Sequence, residues 1–210
     1  MNYTTVVFLL TRRLSGPLAQ KTALDLMAPR TPEGELLRGG GPSPTARNAA
    51  GLVIIFPDAR QNATFVLTER SPFLPAHPGQ MGLPAGMQAP GEPLERTALR
   101  ETEEEIGIKA DSVSLLGALS AVFIPPSNIL LHPFVGHLDA PPDLNPLPRE
   151  VTRIFQVSLA ALLDPASIRS EIRDLPTGEA IVPYFYLAEE KIWGATAIIL
   201  AELRALLESS

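Results

Sequence analysis

Hydrophobic and polar residues change rhythm several times along this chain, and the changes mark out its elements. Residues 4–28 are mostly compatible with helix. Thr31 to Pro44 (TPEGELLRGGGPSP) is dense in Pro and Gly and reads as a connector. Ala49 to Phe56 (AAGLVIIF) is a short run of branched apolar residues, the pattern of a buried strand, and Phe65 to Arg70 reads as its hairpin partner. A Pro-rich loop covers Ser71 to Pro84, and a charged helix of about four turns follows, between Glu92-Pro93 and Gly107. Pro at the first helical position gives up a donor that would be unpaired anyway. Gly107 suits a left-handed helix cap.

Further on, strand-like runs at 113–123 and 129–138 are separated by Ile124-Pro125-Pro126-Ser127-Asn128. Pro141 to Pro148 is an irregular connector, Val151 to Val157 a strand, and 158–163 a short helix. Residues 169–175 and 181–187 suggest another pair of strands. Trp193 to Leu207 is an amphipathic helix, with Ala197, Leu200, Leu203 and Leu207 at helical spacing. One hairpin before the central helix and several strands after it suit a mixed sheet with helices on both faces.

Length and composition narrow the function classes. The 210 residues fit one domain with an extension: an N-terminal helical segment and connector over 1–44, and a main domain over 45–208. The chain is 45% hydrophobic, ample for a packed core, and has no cysteine, which excludes disulfides and thiolate chemistry. The apolar run Val6 to Leu10 is too short to span a membrane, and Arg12 and Arg13 follow it, where a secretory signal carries its positive charge first. The expectation is a cytoplasmic protein that begins as a mature chain. A formal charge of −6 argues against general nucleic-acid binding. An anionic substrate would need a divalent ion and local basic residues to overcome that field.

The charged helix carries the chemistry. Glu101, Glu104 and Glu105 lie three and four apart or adjacent, so they project to one side, while Leu94, Ala98 and the Thr102 methyl lie on a flank available for packing. Two carboxylates about 4 Å apart repel by roughly 4 kcal/mol at an effective dielectric near 20. Water and salt, a shifted pKa or a bound cation must offset this. Oxygen-only ligands select a hard cation, Mg²⁺ first and Mn²⁺ as a substitute. The plain alternative is a solvated acidic helix face.

The stretch Gly86 to Ile108, GMQAPGEPLERTALRETEEEIGI, resembles the Nudix box, G-x5-E-x7-R-E-U-x-E-E-x-G-U, at Gly86, Glu92, Arg100, Glu101, Glu104, Glu105 and Gly107. Thr102 departs from the usual aliphatic residue. The resemblance implies an α/β/α sandwich and a metal-dependent hydrolase of a diphosphate linked to another moiety. It also implies that Arg100 pairs with Glu92 and holds the loop against the helix, although an ordinary i,i+4 pair with Glu104 is open too. Glu101 and Glu105 are the first choices for metal ligands, with Glu104 next. By the same resemblance the backbone carbonyl of Ala85 is a further ligand. The general base comes from the box helix or a later loop, where Glu150 is the best distal candidate.

Residues 67–86, LTERSPFLPAHPGQMGLPAG, resemble the segment upstream of the box in the coenzyme A diphosphatase branch, at Leu67, Thr68, Arg70, Ser71, Leu74, His77, Gly79, Gln80, Pro84 and Gly86. Val66, Leu83 and Ala85 depart from it, and Ala85 in place of Gly allows a different loop. Pro125-Pro126-Ser127 and Ile192 to Ala197 (IWGATA) match as well. The branch cleaves coenzyme A into 4′-phosphopantetheine and adenosine 3′,5′-bisphosphate. Arg70, His77 and Ser71 are then substrate-binding candidates: a guanidinium forks onto phosphate, and an imidazole donates or titrates. Their plain roles are an exposed ion pair and loop packing. A Nudix enzyme for ADP-ribose or a nicotinamide dinucleotide, and a non-catalytic nucleotide sensor, are the competing readings. The oligomeric state is open, a homodimer included.

Overall fold

Strand β1 (Arg47–Pro57) sends alternate side chains into two separate cores, and this alternation builds the layered fold. The computed structural model describes residues 1–37, 41–74, 77–175 and 178–208. Part of the Thr31–Pro44 connector (38–40) and of the Pro-rich loop (75–76) lies outside the described residues.

The main sheet is mixed. β1 pairs in parallel with β7 (Ile129–His137) and antiparallel with β2 (Ala63–Arg70), the hairpin expected from the apolar runs. β3 (Met81–Gly82) and β8 (Val151–Ser158) pair with β2, β4 (Ala85–Met87) with β1, and β5 (Ser114–Ala118) and β6 (Val122–Ile124) with β7.

On one face, Ala50, Leu52, Ile54 and Phe56 pack against Ala98 and Ile106 of helix α3 (Leu94–Ile106). On the other, Ala49, Val53 and Ile55 join Val6 and Leu10 of α1 (Tyr3–Arg13), Ala23 and Met27 of α2 (Gln20–Met27), and Leu200 and Leu203 of α5 (Gly194–Glu208). Helices therefore cover both faces of a mixed sheet, an α+β sandwich as expected. No helix among the described residues is long and apolar enough to cross a membrane.

Four expectations need correction. Pro93 is the N-cap of α3, extended at φ −62° and ψ 143°, so the helix begins one residue later, at Leu94. The run 113–123 is two strands, because the ladder to β7 is irregular between Leu115 and Gly117 and then breaks before β6. The late strands do not join the main sheet. β9 (Ile168–Leu175), β10 (Gly178–Leu187) and β11 (Glu190–Ile192) form their own three-stranded antiparallel sheet, whose Glu190–Ile192 strand the sequence reading missed. Finally, α5 is covered nearly all round and buries Glu202 and Arg204 beside its apolar stripe. The short helix α4 (Leu159–Leu163) supplies part of that cover, since Arg204 donates to the carbonyls of Leu162 and Asp164 at 2.8 and 3.2 Å.

Candidate active site

Helix α3 has one apolar and one acidic side. Ala98, Thr102 and Ile106 are buried against the sheet, and the Thr102 hydroxyl donates to the Ala98 carbonyl at 2.8 Å, so the polar atom at an aliphatic position is satisfied within its own helix. Gly107 ends the helix at φ +80°, its N–H donating to the Glu103 carbonyl at 3.0 Å, as the cap reading requires.

Glu101 and Glu105 are 8% and 3% exposed, one turn apart on the same side. Each is set against β4. The backbone N–H of Ala85 donates to Glu105 at 3.2 Å. Gly86 leaves the space that the Glu101 carboxylate fills, for a Cβ on Gly86 would stand 2.1 Å from Glu101 Cδ. Ala85 itself lies in an extended strand opposite Gly51, so no left-handed turn is needed there. A side chain on Gly51 would meet the Ala85 methyl at 2.8 Å, so the bare position in β1 makes room for the alanine.

Glu150 reaches the same place from the connector after β7. That connector is fastened to the end of α3: Leu147 N–H donates to the Glu105 carbonyl and Asn145 N–H to the Ile106 carbonyl, both at 2.9 Å. These are carbonyls that a helix end leaves without an internal partner. The Glu150 carbonyl accepts from Ser71 N–H at 2.8 Å, tying the connector to the end of β2. Glu101, Glu105 and Glu150 thereby offer carboxylate oxygens that lie within 4.8 Å of one another.

Three carboxylates at that range repel by about 3 kcal/mol per ionised pair at an effective dielectric near 20. Burial pushes the Glu105 carboxyl up to about 8; Arg70 and the Ala85 amide act against that shift, and Glu101 and Glu150 add to it. Burial also raises Glu101, opposed by Arg100. A buried, oxygen-only, mutually repelling set is the donor chemistry that a hard divalent cation fits.

Arg100 holds the arrangement. Its Nε and one terminal nitrogen donate to the two oxygens of Glu92 at 2.9 and 3.0 Å, the fork expected from the box. The guanidinium also reaches Glu101 at 2.7 Å, Glu104 at 3.3 Å and the Met87 carbonyl at 3.1 Å. Helix, loop and β4 are thus joined through one side chain. Hydrogen bonds from Arg100 and from the Thr97 hydroxyl (2.7 Å) hold the Glu92 carboxyl down at about 2. Thr97 was not singled out from the sequence, although it stands five residues after Glu92 in the first helical turns.

The other expected residues fall at different distances from this group. Glu104 is exposed and engaged by Arg100, outside the three-carboxylate cluster. Arg70 stands at the end of β2 with a terminal nitrogen 4.0 Å from Glu105, and its Nε is buried without a hydrogen-bond partner. Ser71 is buried, and its hydroxyl accepts from Phe73 N–H at 3.4 Å. His77, at φ +55°, lies 3.1 Å from the Gln80 side chain and 3.5 Å from the Ser127 hydroxyl, and so joins two loops that the sequence marks as similar to one branch.

A family model, the NUDIX domain, matches residues 45–175. An uncharacterized Nudix hydrolase, NudL, of Photorhabdus laumondii is 34% identical over 158 residues, 75% of this chain and 83% of that protein. The peroxisomal coenzyme A diphosphatase ndx-8 of Caenorhabditis elegans is 34% identical over 121 residues, which are 56% of this chain and 51% of that one. Among solved structures, the Nudix hydrolase RenU of M. smegmatis shares the fold with a TM-score of 0.54 at 17% identity, covering 86% of this chain and 91% of its own. The box geometry, the sandwich and these matches agree: the chain belongs to the Nudix hydrolase family.

Proposed function

We propose that this chain hydrolyses the diphosphate of coenzyme A or one of its derivatives, releasing 4′-phosphopantetheine and adenosine 3′,5′-bisphosphate. The observation that carries the reading is the segment Leu67–Gly86. It resembles the coenzyme A diphosphatase branch, begins on β2 beside the carboxylates and ends on the glycine that accommodates Glu101. The similarity to the coenzyme A diphosphatase of C. elegans supports it.

Mg²⁺, or Mn²⁺ in its stead, held by Glu101 and Glu105 with Glu104 and the Ala85 carbonyl as further donors, would supply positive charge against the diphosphate and acidify water. The chain's own residues do the rest. Glu150, the least buried of the three clustered carboxylates, accepts the proton of the attacking water as that oxygen bonds to phosphorus and the bridging P–O bond breaks. Arg70, whose terminal nitrogen stands 4.0 Å from Glu105, binds the substrate phosphates through its guanidinium. Arg100 and Glu92 keep Glu101 in position. Ser71 and His77 set the loop that frames the substrate.

A substrate panel with Mg²⁺, read by mass spectrometry, tests the reading. Phosphopantetheine formed from coenzyme A, with a kcat/KM far above that for ADP-ribose or nicotinamide dinucleotides, is the expected result. A preference for ADP-ribose would replace the substrate. No hydrolysis of any nucleoside diphosphate derivative with Mg²⁺ or Mn²⁺ would favour a sensor.

A further inference from the structure

A recess lies where the edge strand β3 meets the small sheet. It is an open recess of about 450 Å³ between the segment 79–81 and the small sheet, and its walls include Gln80, Arg173, Tyr186, Glu189, Lys191 and Trp193. That size falls within the roughly 300–1,000 Å³ of small-molecule sites. Trp193 belongs to the IWGATA run, which the catalytic chemistry leaves unexplained, and it is the only tryptophan of the chain.

The recess combines flat rings with cations. The Arg173 guanidinium lies 4.2 Å over the Trp193 ring, and the Arg169 guanidinium lies 4.0 Å over Tyr186. Arg173 and Lys191 share a single carboxylate, Glu171. Two carboxylates line the recess, Glu189 and Glu190, and the second is paired with Arg153. Stacked rings and guanidinium planes receive a nucleobase, and a cation pair with a half-share of a carboxylate receives a phosphate.

Arg70 connects this recess to the reaction centre. Its backbone N–H donates to the Gln80 carbonyl at 3.0 Å, while its side chain stands 4.0 Å from Glu105. One residue thus borders a wall of the recess through its backbone and the carboxylates through its side chain.

We infer that the recess between Gln80 and Trp193 seats the nucleobase of the substrate, with the neighbouring sugar phosphate on Arg173 and Lys191. This rests on the coenzyme A reading for the ligand's identity. Adenosine 3′,5′-bisphosphate is the probe, titrated into the full chain without metal, with emission from Trp193 followed at an excitation that adenine does not absorb. Saturable quenching is expected, with Kd raised about tenfold or more in Arg173→Ala and in Lys191→Ala, the loss expected of a charge-assisted contact to phosphate. Lys191 is half exposed, so its variant reads the contact even where Arg173→Ala disturbs folding. 4′-Phosphopantetheine should leave the emission unchanged. No quenching, quenching by phosphopantetheine alone, or an unchanged Kd in both variants would overturn the inference. Coenzyme A turnover in the same preparations separates the two readings. Turnover without quenching rejects the recess and keeps the activity. Quenching without turnover keeps a nucleotide recess and rejects coenzyme A as substrate.

Discussion

The carboxylate of Glu101 occupies the space that a side chain on Gly86 would need, with Glu101 Cδ only 2.1 Å from where that Cβ would stand. The first glycine of the box is therefore a steric condition on the first glutamate of the helix. Gly86→Ala should leave the fold nearly intact, because the displaced atoms are the end of a flexible side chain. It should also move Glu101 out of the cluster. A displacement of about 1 Å at a reaction centre can lower turnover by about 10²-fold. Steady-state kinetics beside a thermal melt check this; equal activity would show that Glu101 tolerates the shift.

Arg100 makes a forked contact that an ammonium cannot copy. Arg100→Lys retains the charge but loses the two parallel bonds to Glu92 and the reach to Met87. Activity should fall about 10–100-fold, the usual loss when a residue that orients a metal ligand is removed. The apparent affinity for Mg²⁺ should fall with it. A fall in kcat with unchanged Mg²⁺ dependence would assign Arg100 to substrate instead.

Glu105 should link metal binding to protons. Its folded pKa of about 8 lies above the ordinary value of 4.5, so the metal-free fold prefers it protonated. Its contribution to metal-free stability is full below pH 4.5 and is lost as pH rises through about 8. A cation requires the ionised form, so near neutral pH its binding should release a proton, and affinity should rise roughly tenfold per pH unit until pH approaches 8. Calorimetry in buffers of different ionisation enthalpy measures the proton, and melts of metal-free protein from pH 5 to 9 measure the stability. Glu105→Gln should abolish the proton release and flatten the melt profile between pH 5 and 8. Proton release that persists in that variant would place the titrating group elsewhere.

The buried Glu202 accepts from both the N–H and the hydroxyl of Ser120, each at 2.7 Å, and pins the loop between β5 and β6. Glu202→Ala leaves that N–H without its partner and should destabilise the chain by roughly 2–4 kcal/mol, read in a denaturant melt. A change under about 0.5 kcal/mol, typical of surface substitutions, would show that water replaces the carboxylate freely.

Glu202 also shows where the sequence stops being legible. The apolar stripe of α5 is readable at helical spacing, but its coverage depends on α1, α2 and α4, whose docking leaves no periodic mark on α5 itself. The box was readable because its chemistry is local: one helix carries Arg100, Glu101 and Glu105, and Gly86 and Glu92 lie eight and two residues before its start. Glu150 could be named only as a loop candidate, since its approach depends on backbone bonds from Asn145 and Leu147 to the end of α3. Glu104, the next ligand candidate on the same helix side, stands half exposed in the fold, in contact with Arg100 and outside the cluster of three. The hairpin of β1 and β2 was legible from adjacent apolar runs. The separate sheet of β9, β10 and β11 was not, because alternation identifies a strand and not its partner.

The central claim is that the buried carboxylates of α3 form the reaction centre, and the most direct measurement compares Glu105→Gln with Glu103→Gln in Mg²⁺-dependent turnover of coenzyme A. Glu103 is exposed on the same helix and accepts from Ala110 N–H at 3.0 Å, a role that a glutamine oxygen retains. Loss of turnover in Glu105→Gln with near-normal rates in Glu103→Gln is the predicted result. Equal activity in the two variants would contradict it.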